Sequence, residues 1–141
     1  MVAPKIKMKA ILHKEFGGPE VLGVTNDVEI PQIEKHEVLI QVHAAGINRP
    51  DILQRSGGYP PPPGASEILG LEVSGEIVDV GEDVNKNLLN TKVCALVPGG
   101  GYAEFVKCHT STILPIPKGI SIIDACTCLL YTSDAADDCW S

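Results

Sequence analysis

Residues 70–81, Gly-Leu-Glu-Val-Ser-Gly-Glu-Ile-Val-Asp-Val-Gly, set β-branched residues between flanking glycines. A short apolar run with that punctuation reads as a strand. The same reading extends outward in both directions. EVLIQVHAAGI (37–47) alternates, with Val38, Ile40 and Val42 on one face opposing Leu39, Gln41 and His43. KMKAILH (7–13), TKVCALV (91–97) and YAEFVKC (102–108) also read as strands, and TILPIP (112–117) is held extended by its prolines. Gly, Pro and Asn interrupt these runs at short intervals (GGPE, PPPPG, GEDVN, PGGG, PKG). Many short strands with few helices indicate a mainly β fold, a barrel or rolled antiparallel sheet.

Two helical segments fit between the strands. Residues 48–55, Asn-Arg-Pro-Asp-Ile-Leu-Gln-Arg, offer a capping Asn48, an early Pro50 and the acid Asp51 in the first turn. Ser121-Ile-Ile-Asp124 resembles a capping box, so a helix is expected to start near residue 121.

The 141 residues are one domain's worth of chain, and 44% apolar content is enough for a single core built mostly from Val, Ile, Leu and Ala. The formal charge of −7, with no Lys/Arg cluster, argues against a nucleic-acid partner. No apolar run approaches membrane-spanning length, and the N-terminus lacks a secretory h-region. Five cysteines without a CxxC pair do not make a disulfide framework, and Cys94 reads as a buried thiol. The expected compartment is the cytoplasm.

PGGGYAE (98–104) lacks the GxGxxG spacing, the Walker lysine and a following helix, so it reads as a turn. The four histidines are scattered and give no metal-ligand spacing. The stretch Arg55-Ser-Gly-Gly-Tyr-Pro-Pro-Pro-Pro-Gly64 admits two readings. It is a proline-stiffened loop after a helix, with Asn48 as cap and Tyr59 as packing, or a stiff rim that preorganises polar groups for a ligand.

GINRPDILQRSGGYPPPPGASEILGLEVSGEIVDVGEDV, together with MKAILHKEFGGPEVL and KVCALVPGGGYAEFVKC…LPIPKGIS, resembles the zinc-independent quinone oxidoreductases of the medium-chain dehydrogenase/reductase superfamily. The resemblance covers roughly residues 8 to 127. It implies the N-terminal catalytic domain, a GroES-like, partly open β-barrel with short helices, whose Rossmann cofactor domain is missing from this chain. It also implies hydride transfer from NADPH to a quinone or related small electrophile, in a full-length parent that forms a homodimer. By the same resemblance, Asn48 and Asp51 bind the nicotinamide–ribose end of the cofactor, and Tyr59 is the catalytic-site residue flanking the quinone. Zinc-dependent relatives carry a Cys and a Gly-His-Glu triplet where this chain reads Asn48 and Gly70-Leu71-Glu72, so no metal is expected. Alternatives from the same residues are an enone or enoyl reductase of the same superfamily, and a stand-alone GroES-like binding module.

The domain is therefore expected to occupy residues 1–127. From residue 128 the sequence CLLYTSDAADDCWS departs from the family, and its first ten residues resemble the translation of a transposase adapter used in preparing sequencing libraries. Residues 128–141 are taken as non-native on that ground. With no Gly-rich phosphate turn, the chain by itself is expected to be inactive.

Overall fold

A computed structural model of the chain describes residues 7–58 and 60–127. Tyr59 and the 128–141 tail, with the readings attached to them, lie outside the described residues. Seven strands and one α-helix follow in the order β1 (Lys7–His13), β2 (Leu22–Glu29), β3 (Glu37–Ala45), α1 (Arg49–Ser56), β4 (Glu72–Val80), β5 (Lys92–Leu96), β6 (Phe105–His109) and β7 (Ile113–Pro115). β1 and β2 form an antiparallel hairpin, and the other five make an antiparallel sheet in the order β6-β3-β4-β5-β7. The two sheets do not close on each other. They meet where β1 runs beside residues 102–104: Ala10 bridges Ala103, Ile11 N–H donates to Tyr102 O at 2.9 Å, and Glu104 N–H donates to Lys9 O at 3.0 Å. This is a mainly β, partly open barrel, as the sequence pattern indicates.

The alternation in β3 places Val38 and Ile40 at 0% exposure while Gln41 and His43 face solvent. Val73 and Ile77 of β4, Val93 and Ala95 of β5, and Val106 and Cys108 of β6 close over them as one core. Each fully buried Val or Ile contributes ~1.5–3 kcal/mol, so this cluster is the main source of stability. Gly75, in the middle of β4, is needed there because a Cβ would sit 2.1 Å from Gln41 O on the paired strand. A second cluster of Met8, Ala10 and Ile68 fixes the hairpin to the body of the domain.

Three differences from the sequence pattern are physical. β2 buries none of its residues fully, and its half-buried Leu22, Thr25 and Val28 fall every third residue, so LGVTNDVE carries no alternation to read. Residues 70–71 and 102–104 lie outside their strands, because the chain there turns to make the contacts described below. The helix expected at residue 121 is only a 3₁₀ turn, Asp124–Thr127, although Ser121 Oγ does accept from Asp124 N–H at 3.0 Å as a cap should.

Candidate functional site

β3 ends at Ala45, and three residues later α1 begins. Asn48 is its N-cap, in extended conformation, with Pro50 in the first turn. Asp51, at the third helical position, reaches back and accepts from Asn48 N–H at 3.0 Å through Oδ2. With the Asn48 side chain facing the Asp51 backbone in return this is a capping box, and it puts a carboxylate at the positive end of the helix.

Asp51 is also tied to two distant parts of the chain. Gly70 N–H donates to Oδ1 at 3.1 Å, and the Tyr102 hydroxyl donates to Oδ2 at 2.8 Å. Only 3% of Asp51 is exposed, so three donors from three segments satisfy a buried carboxylate.

The glycines in this region make the arrangement geometrically possible. Gly70 has φ +107, and a Cβ on it would lie 2.7 Å from Gly101 Cα and Tyr102 N. The 68–70 and 99–102 segments therefore pack backbone to backbone. Gly101 N–H donates to Gly70 O at 3.0 Å and Tyr102 N–H to Leu69 O at 2.9 Å. This turn delivers the Tyr102 ring to Asp51. The Tyr102 hydroxyl lies 3.4 Å from Gly46 O as well, and its pKa is pushed well above the ordinary phenol range, first by burial and then by the bond and charge of Asp51.

Of the residues expected at a site, Asn48 and Asp51 are brought together. The Asn48 backbone is held, but its side-chain Nδ2 is buried and has no hydrogen-bond partner among the described residues. It lies above Gly46, where an added Cβ would be 3.4 Å from Nδ2, 3.0 Å from Cys126 O and 3.5 Å from Glu72 Oε1. Glu72 is itself fully buried. Beyond the far end of α1, Leu12, Phe16, Gln54, Gly57, Pro60 and Pro61 help line a cavity of about 400 Å³. Gln54 is 3% exposed, whereas Phe16 is 67% exposed. The residues on both sides of Tyr59 thus border an open apolar cavity.

Tyr102 and Gly70 were not singled out by the sequence. The only signal was a tyrosine directly after three glycines, which a strand-connecting turn explains equally well. Among the described residues, no three His, Cys, Asp or Glu side chains cluster closely enough to hold a metal ion.

The profile of the alcohol dehydrogenase GroES-like domain matches residues 34–118, which contain β3 to β7 and this site. The chain belongs to that family, within the medium-chain dehydrogenase/reductase superfamily. This GroES-like domain is 38% identical over 139 residues to the quinone oxidoreductase of Mus musculus, a match covering 91% of the chain and 42% of that protein. The Escherichia coli quinone oxidoreductase complexed with NADPH superposes with a TM-score of 0.71 at 31% identity, covering 86% of this chain and 37% of that one. The CurK enoyl reductase shares the fold with a TM-score of 0.79 at 24% identity, over 93% of this chain and 41% of that one. The GroES-like domain spans about two-fifths of the length of the mouse relative. Among the described residues, no helix is long and apolar enough to cross a membrane.

Proposed function

We propose that this domain is the substrate-side part of an NADPH-dependent quinone oxidoreductase, working with a Rossmann cofactor domain for which the greater length of the relatives leaves room. The observation that carries the reading is the Asn48 side-chain amide, a buried donor at the start of α1 left without a partner among the described residues. A buried N–H in that state costs ~1–3 kcal/mol, and an acceptor on a ligand removes the penalty. The amide fits the nicotinamide–ribose end of NADPH, which carries carbonyl and hydroxyl acceptors. NADPH, when bound, supplies the hydride.

The chain's own residues hold and orient. Asn48 donates through Nδ2 and fixes the angle of the reacting end. Asp51 was expected to touch the cofactor as well, but its carboxylate is buried and engaged by three internal donors, which supports action through Asn48 instead. Tyr59 is proposed to flank the quinone, offering a flat face and a hydroxyl that donates to the quinone carbonyl. The cavity beyond the far end of α1, about 400 Å³ and bordered by Pro60, Pro61 and Phe16, supports this because its size is that of a small-ligand pocket. After hydride transfer, the hydroquinone anion takes its one remaining proton from water.

The reading is zinc-independent. At the positions where zinc-dependent relatives carry ligands, Asn48 is an amide, a weak substitute for thiolate, and Leu71 offers no donor atom. A cytoplasmic location fits the buried thiols Cys94, Cys108 and Cys126. The parent is proposed to be a homodimer whose contacts lie largely in the cofactor domain.

The test is NADPH oxidation by the chain joined to its cofactor domain, with 1,2-naphthoquinone and 9,10-phenanthrenequinone set against an enone and an enoyl thioester. Turnover of the quinones supports the reading, and turnover of the enoyl thioester alone replaces it with an enoyl reductase. The 141-residue chain assayed alone is expected to be inactive, and robust quinone reduction by it would overturn the need for a cofactor domain.

A further inference from the structure

We infer that Tyr102 is a positioning residue, whose hydroxyl sets the direction of the Asn48 side-chain amide through the Asp51 carboxylate. The kinetic part of this inference rests on the reading of the site given above, whereas its structural part does not.

Residues 46–48, between β3 and α1, are held at four backbone atoms. Gly46 N–H donates to Glu72 O at 2.9 Å, Gly46 O lies 3.4 Å from the Tyr102 hydroxyl, Asn48 N–H donates to Asp51 Oδ2 at 3.0 Å, and Asn48 O accepts from Asp51 N–H at 3.0 Å. Three of those four holds involve Tyr102 or Asp51. The pair is itself well anchored. Tyr102 is fixed along its backbone by Leu69 O through its N–H and by Ile11 N–H through its O, each at 2.9 Å. Gly70, packed against Gly101, donates to the other oxygen of the same carboxylate.

The Asp51 carboxylate is therefore gripped at both oxygens by donors that cannot easily move. Its orientation leaves Asn48 N–H one place to point, which fixes the Cα–Cβ direction from which Nδ2 reaches to within 3.4 Å of where a Gly46 Cβ would sit. The raised phenol pKa agrees with a donor that keeps its proton in this environment.

The experiment uses the 141-residue chain and Tyr102→Phe, which keeps the ring and removes only the hydroxyl. The Asn48 side-chain amide is observed by ¹⁵N–¹H correlation spectroscopy. In the unchanged chain its two protons are expected as separate, sharp resonances. In Tyr102→Phe they should broaden or shift toward free-asparagine values while the β3–β6 backbone amides stay in place. If Tyr102→Phe disturbs the backbone amides, Asp51→Asn replaces one carboxylate oxygen by an NH2 that cannot accept, weakens the same set of contacts and should reproduce the change at Asn48. An Asn48 side chain unaltered in both variants overturns the proposal.

The second measurement is made with the cofactor domain joined. Tyr102→Phe should lower kcat for the quinone about 10-fold while KM for NADPH stays within about 2-fold, because misaiming a bound reactant slows the step more than it weakens binding. Adding Asn48→Ala to Tyr102→Phe should lower kcat no further than Asn48→Ala alone. Fully additive losses would overturn the proposal, since they would mean that Tyr102 acts independently of Asn48. An altered Asn48 amide in an enzyme that reduces no quinone would leave the positioning role standing and remove the quinone reading.

Discussion

Replacing Asp51 by Ala isolates the contribution of the contact on which the site depends. The change removes bonds from Gly70 N–H, Asn48 N–H and the Tyr102 hydroxyl. Hydrogen bonds to a charged group contribute ~1.5–3 kcal/mol each. Gly70 is buried, so its N–H loses the full amount, ~2–3 kcal/mol, with no water to replace the carboxylate. Asn48 and Tyr102 are half-buried, so partial rehydration limits their losses to ~0.5–1 kcal/mol each. The expected destabilisation is ~3–5 kcal/mol, a large share of the ~5–15 kcal/mol typical of a domain. With a urea m-value of ~1.5 kcal/mol/M, the midpoint should fall by ~2–3 M. The assay is urea unfolding of the 141-residue chain at pH 7, followed by far-UV circular dichroism. Asp27→Ala is the control, because Asp27 is paired to Lys7 at an exposed position and its loss should leave the midpoint unchanged. An Asp51→Ala midpoint within ~0.5 M of the control would refute the claim that this carboxylate holds three segments together.

Gly70→Ala should cost ~2–4 kcal/mol in the same assay, since a Cβ at φ +107 meets the backbone of Gly101 and Tyr102. Burial pushes the Cys108 thiol up to about 12, above its ordinary value near 9.0. A folded-state pKa above the unfolded one makes the unfolded chain lose its proton first, so stability falls as pH rises from about 9 toward 12, by ~1.4 kcal/mol per unit. Cys108→Ser should flatten the fall between pH ~9 and ~10, below the range where Tyr102 begins to contribute in the same sense. In the enzyme with its cofactor domain, Tyr59→Phe should lower quinone turnover ~10-fold, about the effect of one hydrogen bond to the reacting carbonyl. Unchanged turnover would remove the proposed role of its hydroxyl.

The strands that pack on the core were legible because one face had to be apolar. Val38 and Ile40 alternate with Leu39 and Gln41, and that period survives folding intact. β2 was not legible, since none of its residues is fully buried and its half-buried Leu22, Thr25 and Val28 do not follow a period of two. The start of α1 was readable from Asn48, Pro50 and Asp51, because a cap is a local interaction spanning three residues. The long-range partners of Asp51 were not readable from those residues. Gly70 lies 19 positions away and Tyr102 lies 51, and no periodicity links a carboxylate to a glycine N–H across a turn. In the sequence, the three glycines before Tyr102 signal only a turn. The close approach of Gly70 to Gly101 that they permit is a tertiary fact.

The seam between β1 and residues 102–104 has a consequence for how the chain becomes a domain. Lys9 N–H bonds to the Glu104 carboxylate across 95 positions, and Ile11 holds the backbone of Tyr102. These contacts join residues 9–11 to residues 102–104, which raises the contact order of a small protein and slows its folding. During synthesis the Asn48 loop, α1 and β4 emerge from the ribosome well before Tyr102 does. Asp51 must wait, solvated and without the Tyr102 hydroxyl, until residue 104 has cleared the exit tunnel and β1 has come back to meet it. On this account the acquisition of a fixed Asn48 amide coincides with the last step of barrel assembly, and a nascent chain stalled short of residue 102 would carry formed strands but no site.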